Sequence, residues 1–234
     1  MLVLPLVYVI YTALREGWRV FVSSVTDEYA VKSILLTVKV TVITVIINSV
    51  FGIFAAWLIT RFKFRGKKII STLIDLPLTI SPIIAGLIFV LTFGRQSAIY
   101  PFLEKWGIQI IFAVPGIVLA TIFVTFPFIS REIIPVLMGA NGFQIFTQIT
   151  FPHIKWAFLY GVVLCSARAM GEFGAVSVLS GHLRGITNTM PLYIELLYQA
   201  FDFTGAFAMS AILVVMALVI LVLKNIFERG IRVK

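Results

Sequence analysis

Arg168 and Glu172 stand four residues apart in the apolar stretch WAFLYGVVLCSARAMGEFGAVSVLS, Trp156–Ser180. On a helix that spacing puts both heads on one face, where they can meet. A bare charge in an apolar layer costs several kcal/mol, so a pair that faces protein or water is the favoured arrangement. Two chemistries follow. The pair can be a neutralised lock between helices, or Arg168 can border an anion pathway that Glu172 tunes. Asp75, in IDLPLTISPIIAG, is a third candidate for the same group. Catalytic constellations are absent: the chain has no G-x-x-x-x-G-K-[ST], no H-E-x-x-H, and no serine with a plausible His/Asp pair. A lone Cys165 and two histidines, His153 and His182, leave no cysteine-based zinc site and no histidine cluster. The expectation is a non-enzyme with no cofactor and no metal. If it moves something uphill, the energy comes from an ion gradient or from another protein.

The elements that hold these residues are membrane helices. Of 234 residues, 60% are hydrophobic and 12% charged, against about 45–50% and about 25% in soluble chains. Six apolar segments are visible: Met1–Leu14, Ile34–Thr60, Ile69–Phe93, Ile110–Ser130, Trp156–Ser180 and Gly205–Leu223. The last five are long enough to cross a bilayer, and the first is short. The fold class expected is an all-α polytopic membrane protein of about six transmembrane helices, one domain over residues 1–234. Arg61, Lys63, Arg65, Lys67 and Lys68 share one loop; Arg131 and Lys155 bound another; Lys224, Arg229, Arg232 and Lys234 lie in the tail. With six spans these fall on one side, and they are eleven of nineteen Lys and Arg. Six bases and six acids balance on the other side. The positive-inside rule makes the basic face cytoplasmic and puts both termini inside. This accounts for the net charge of +9 without nucleic acid; the partner implied is the lipid bilayer.

Local features refine the picture. Pro77 and Pro82 each remove a backbone donor within one predicted span. The freed carbonyls demand protein or a cavity around them, and broken helices are common in transport pathways. Ala167, Gly171 and Ala175 form a small-residue stripe expected to seat another helix, as do Gly52 with Ala56 and Gly116 with Ala120. Pro191–Asp202 reads as a segment lying along the outer interface. In the loop REIIPVLMGANGFQIFTQITFPHIK, Gly139 is followed by nine residues, Ile149, one residue, Phe151 and Pro152. This describes a short amphipathic helix from about Ala140 to Gln148, stopped by Pro152. Phe143, Ile145 and Phe146 would offer an apolar face to a partner's groove.

That loop resembles the second half of the cytoplasmic motif of ATP-binding-cassette (ABC) importer permeases, E-A-A-x-x-x-G-x9-I-x-L-P, with Phe151 where leucine is usual. Three longer stretches resemble the sulfate/thiosulfate permeases, and among them the W-type subunit: IDLPLTISPIIAGLIFVLTFG, IIFAVPGIVLATIFVTFPFISREIIPV and ARAMGEFGAVSVLSGHLRGITNTMPLYIE. The resemblance implies an ABC importer permease-like bundle with a cytoplasmic coupling helix. It implies a second sulfate permease subunit, a cytoplasmic ABC ATPase dimer docked on the loop helices, and a periplasmic sulfate/thiosulfate-binding protein. The setting implied is a bacterial inner membrane, in preference to a plastid envelope. Gly139, Ala140, Asn141, Gly142, Phe143, Ile149, Phe151 and Pro152 carry over as the ATPase-coupling segment. Asp75, Arg168 and Glu172 stand as pathway or ion-pair residues, with no substrate contact carried over.

One departure matters. Where the E-A-A triplet belongs, the chain has Ile133, Ile134 and Pro135. About fourteen residues of an acidic helical stretch, between the equivalents of Val136 and Met138, are missing by resemblance. The loop 131–155 is therefore shortened, which leaves a degenerate, coupling-deficient copy as an alternative. Molybdate or tungstate is the alternative cargo, and an ion-gradient-driven transporter the alternative class.

Overall fold

The computed structural model describes residues 3–62, 64–137 and 151–232. Among them every regular element is a helix: α1 (Val3–Arg15), α2 (Trp18–Thr26), α3 (Glu28–Arg61), α4 (Lys67–Thr79), α5 (Pro82–Phe93), α6 (Tyr100–Lys105), α7 (Val114–Leu137), α8 (Phe151–Met170), α9 (Gly174–Ser180), α10 (Met190–Gln199) and α11 (Phe203–Arg232). Three of these, α3, α7 and α11, are long and apolar enough to cross a membrane unbroken. Two bent pairs, α4 with α5 and α8 with α9, bring the number of candidate spans to as many as five. The 13-residue α1 rises about 20 Å, short of a hydrocarbon core of about 30 Å.

The core is built on α3, α7 and α8. Asp27 starts α3 by accepting the Tyr29 N–H at 3.0 Å, which satisfies a helix-end donor. The helix then runs 34 residues, about 51 Å. Its buried face is a row of small and hydroxyl residues: Ser33, Thr37, Thr41, Thr44, Asn48, Gly52 and Ala56. Such a face lets backbones approach closely without a hydrophobic drive, which lipid removes. Val40 packs with Ile117, Asn48 bonds Thr125, and Gly52 lies against Ile129. The pairing numbers rise together, so α3 and α7 run parallel. α8 runs antiparallel to both: Gly161 lies against Ile129, and Cys165 reaches Asn48.

These directions place the ends. The Arg61 end of α3, the start of α4 at Lys67, the Leu137 end of α7 and the Phe151 start of α8 share one face. Lys224 of α11 joins them, its Nζ 5.4 Å from the Tyr160 ring centre on α8. The opposite face holds Asp27, Arg184, Tyr193 and the segment before α7. There the Arg184 guanidinium lies 4.4 Å from the Tyr29 ring centre, and the Tyr193 hydroxyl donates to Asp27 Oδ2 at 3.2 Å. Burial first, and the Asp27 charge with it, raises the Tyr193 phenol above its ordinary value, so it stays a donor. On the same face the Phe112 N–H donates to the Leu179 carbonyl at 2.9 Å, tying the entry of α7 to the far end of α9.

The two predicted spans that carry breaks differ in how they were foreseen. The third, Ile69–Phe93, is a broken helix, one of the two outcomes its prolines allow: α4 and α5 are set at 111°. The break lies at Ile80–Ser81, with Pro82 opening α5, where a missing N–H costs nothing. Pro77 stays inside α4 and is buried. The predicted fifth span also breaks, by 51°, between Met170 and Gly174. The stripe Ala167, Gly171 and Ala175 therefore does not run along one helix. Ala175 is buried, while Ala167 and Gly171 are exposed on the surface of the chain.

Candidate functional site

α8 ends one residue before Gly171. The Glu172 N–H still reaches back to the Ala169 carbonyl at 3.3 Å, and then the chain turns. The Glu172 carboxylate occupies the inside of that turn. Oε2 forms an ion pair with Arg168 Nη1 at 2.6 Å, and Oε1 accepts from the Ala175 N–H at 3.0 Å. One buried anion thus serves a guanidinium behind it and the first turn of α9 ahead of it. Its side chain is 1% exposed, against 33% for Arg168. The predicted meeting of Arg168 and Glu172 is present in the structure, but Glu172 stands past the helix rather than on it.

The second break lies alongside. A Cβ added at Gly174 would sit 2.9 Å from the Pro82 Cβ, and one at Gly86 would sit 2.7 Å from the Ala175 carbonyl oxygen. These two glycines let α5 and α9 touch backbone to backbone. Two broken spans therefore meet at their breaks, with Ser81–Pro82 on one side and Glu172–Gly174 on the other. Freed backbone groups at membrane depth need this kind of enclosure in protein.

Asp75 is not brought to the Arg168–Glu172 pair. Its Oδ1 accepts from Arg131 Nε at 2.7 Å, linking α4 to α7. The side chains are 38% and 53% exposed, so this pair lies on the surface of the chain. Sequence reasoning assigned Arg131 to a loop; α7 continues past it to Leu137. Ile133, at the first position of the missing triplet, is fully buried with Ala56, Ile129 and Cys165.

Asn48 escaped the sequence reading. Its Nδ2 donates to Thr125 Oγ1 at 2.8 Å and to the Ile122 carbonyl at 3.3 Å, and lies 3.7 Å from Cys165 Sγ. It is the polar node where α3, α7 and α8 cross. The available signal was an asparagine inside an apolar run, four residues from both Thr44 and Gly52. Of the coupling segment, Gly139, Ala140, Asn141, Gly142, Phe143 and Ile149 lie outside the described residues. Phe151 and Pro152 open α8, so Pro152 starts the next span. The helix it was expected to stop lies outside the described residues.

No family model matches the chain. It is 43% identical over 240 residues to the sulfate transport system permease protein CysW of Escherichia coli K12, covering 97% of this chain and 82% of that one. The protein of that name from Synechocystis is also 43% identical, over 97% of this chain and 87% of its own. The chain belongs to the sulfate transport system permease family. Another relative of this permease is sulfate permease 2, chloroplastic, of Chlamydomonas reinhardtii, 40% identical over 97% of this chain and 65% of that one. In fold the permease matches a bacterial alginate ABC transporter solved in complex with a periplasmic protein carrying an alginate pentasaccharide. The TM-score is 0.79 at 20% identity, over 99% of this chain and 89% of the other. The fold is therefore that of an ABC importer permease. The 240-residue alignment with the Escherichia coli relative is longer than the 234-residue permease itself, so that relative carries residues with no counterpart here.

Proposed function

We propose that this permease is one membrane-spanning half of an ATP-driven importer that moves sulfate or thiosulfate by alternating access. A second permease subunit forms the other half, a cytoplasmic ATPase dimer supplies the energy, and a periplasmic binding protein delivers the anion. The observation that carries this reading is the 43% identity to sulfate permeases along 97% of the chain. The proposed setting is a bacterial inner membrane, with the Arg61–Lys68 face in the cytoplasm and both termini there.

The geometry supports a mechanical route. Residues 138–150 join α7 to α8, and both helices lead to the two breaks. α8 ends at the Arg168–Glu172 turn. α7 is tied by Arg131 to Asp75 on α4, which ends at the bend before Pro82. A push on the coupling segment, residues Gly139–Pro152, would thus reach one junction by two rigid paths. Arg168 and Glu172 hold that junction and carry no net charge, so the binding protein sets selectivity among oxyanions.

Radiolabelled sulfate uptake tests the proposal, in cells that lack their native permease of this type and express this chain with its proposed partner subunits. Uptake that requires the chain and stops when the ATPase subunit is deleted is expected. Uptake that survives that deletion and collapses with an uncoupler would replace the proposal with ion-gradient transport. The longer relative favours one second reading, a copy that docks the ATPase weakly. Under that reading, restoring the missing stretch raises ATPase recovery in a pull-down; equal recovery with and without it removes the reading.

A further inference from the structure

A cavity of about 540 Å³ opens at the α7-entry end of the bundle, between the end of α5, α6 and residues 107–112. Its volume is in the range that holds a small molecule or part of a lipid. Val90, Phe93, Leu103 and Ile110 supply apolar walls, and Arg95 and Glu104 line the same space. Among the described residues neither Arg95 nor Glu104 makes an ion pair. Just outside, the Phe102 and Trp106 rings pair at 6.1 Å and are 63% and 66% exposed. An exposed Trp ring such as Trp106 at the end of a membrane bundle marks headgroup level. The wall is held in place by the Phe112 N–H to Leu179 carbonyl bond.

The charges restrict the occupant. A purely anionic head would suit Arg95 and be repelled by Glu104; a purely cationic one would meet the reverse. Hydrocarbon bearing both a phosphate and an ammonium answers the whole lining. A primary ammonium has hydrogens to donate to a carboxylate, and a quaternary one has none. We infer that this cavity binds phosphatidylethanolamine, with its phosphate on Arg95, its ammonium at Glu104 and one acyl chain along the apolar walls. The inference concerns neither the cargo nor which face is cytoplasmic.

The full chain, purified in mild detergent, is exchanged into mixed micelles containing equal phosphatidylethanolamine, phosphatidylglycerol and phosphatidylcholine, and retained lipid is counted by native mass spectrometry. Wild type is expected to keep about one phosphatidylethanolamine, at least fivefold over either competitor. Glu104→Gln is expected to invert the preference towards phosphatidylglycerol, and Arg95→Gln to lower retention of both phospholipids. Val90→Trp fills the cavity without touching either charge and is expected to abolish retention. Unchanged melting of each variant shows that it folds; a variant that melts early is replaced by Glu104→Ala or Arg95→Ala. Equal retention of the three lipids by wild type, or a preference untouched by every variant, overturns the inference.

Discussion

The Glu172 carboxylate carries the sharpest residue-scale consequences, because it is buried and serves two elements. Replacing it by glutamine keeps an acceptor for the Ala175 N–H but leaves the Arg168 guanidinium without its anion. Breaking a buried pair from one side costs about 3–5 kcal/mol; Arg168 is one-third exposed, so about half of that is expected here. Glu172→Gln should therefore lower the melting temperature in detergent and depress sulfate uptake. The double change Arg168→Gln with Glu172→Gln should recover most of the stability but not the uptake. Double-mutant thermal unfolding checks the first part, and an additive loss would contradict it. Gly174→Val is expected to be more damaging than Gly171→Val. The first drives a side chain into Pro82, whereas the second meets only the Ala167 carbonyl at 3.7 Å. Expression and melting of the two valine variants decide the point. At this scale the sequence was informative about the ion pair, because four-residue spacing brings two heads together whether or not the helix continues. Asn48 was harder to find, since a single polar residue in an apolar run carries no period, and only the crossing of three helices shows what it holds.

At the scale of elements, the two breaks were unequally legible. Pro82 predicts an interruption because it cannot extend the ladder of a preceding turn, but nothing in the residues states a bend of 111°. The break after Met170 was invisible: Gly171 read as part of a packing stripe with Ala167 and Ala175, on a helix expected to continue through it. The angles are set by what lies opposite, namely Pro82 against Gly174 and Gly86 against Ala175. The Asp75–Arg131 link between α4 and α7 was also missed, because a loop assignment for Arg131 hid it. This link yields a test of the mechanical route. Asp75→Asn and Arg131→Gln are expected to cut uptake severalfold while ATP hydrolysis by the assembled complex persists. The swap Asp75→Arg with Arg131→Asp should restore part of the uptake. Equal loss of hydrolysis and uptake in the single variants would show a folding defect instead. Ile133 explains why the missing triplet cannot stand where the count from Gly139 puts it. That position is in the packed end of α7, and an acidic side chain there would be stranded in the core.

For the whole molecule, the charge pattern gave the most. Arranging α3 and α7 in parallel puts the basic ends together without any reference to the charges, so geometry and charge agree on a single face. The number of complete crossings was less legible, since apolar length alone does not tell a straight span from a broken one. Sidedness is testable with one background change, because Cys165, the chain's single cysteine, is fully buried. With Cys165 replaced by serine, a cysteine at Gly107 should react with a membrane-impermeant maleimide added to intact spheroplasts. A cysteine at Gly66 should react only after lysis. The reverse pattern would invert the proposed orientation.

The bond from Phe112 to Leu179 has a consequence for how such a molecule can flex. One end of α9 is pinned by Glu172, and the other is fastened to the doorstep of α7. A short rod secured at both tips cannot soak up a twist by fraying. Torque arriving at the Glu172 turn would be handed along that rod to the entry of α7, so its two tips are expected to move together.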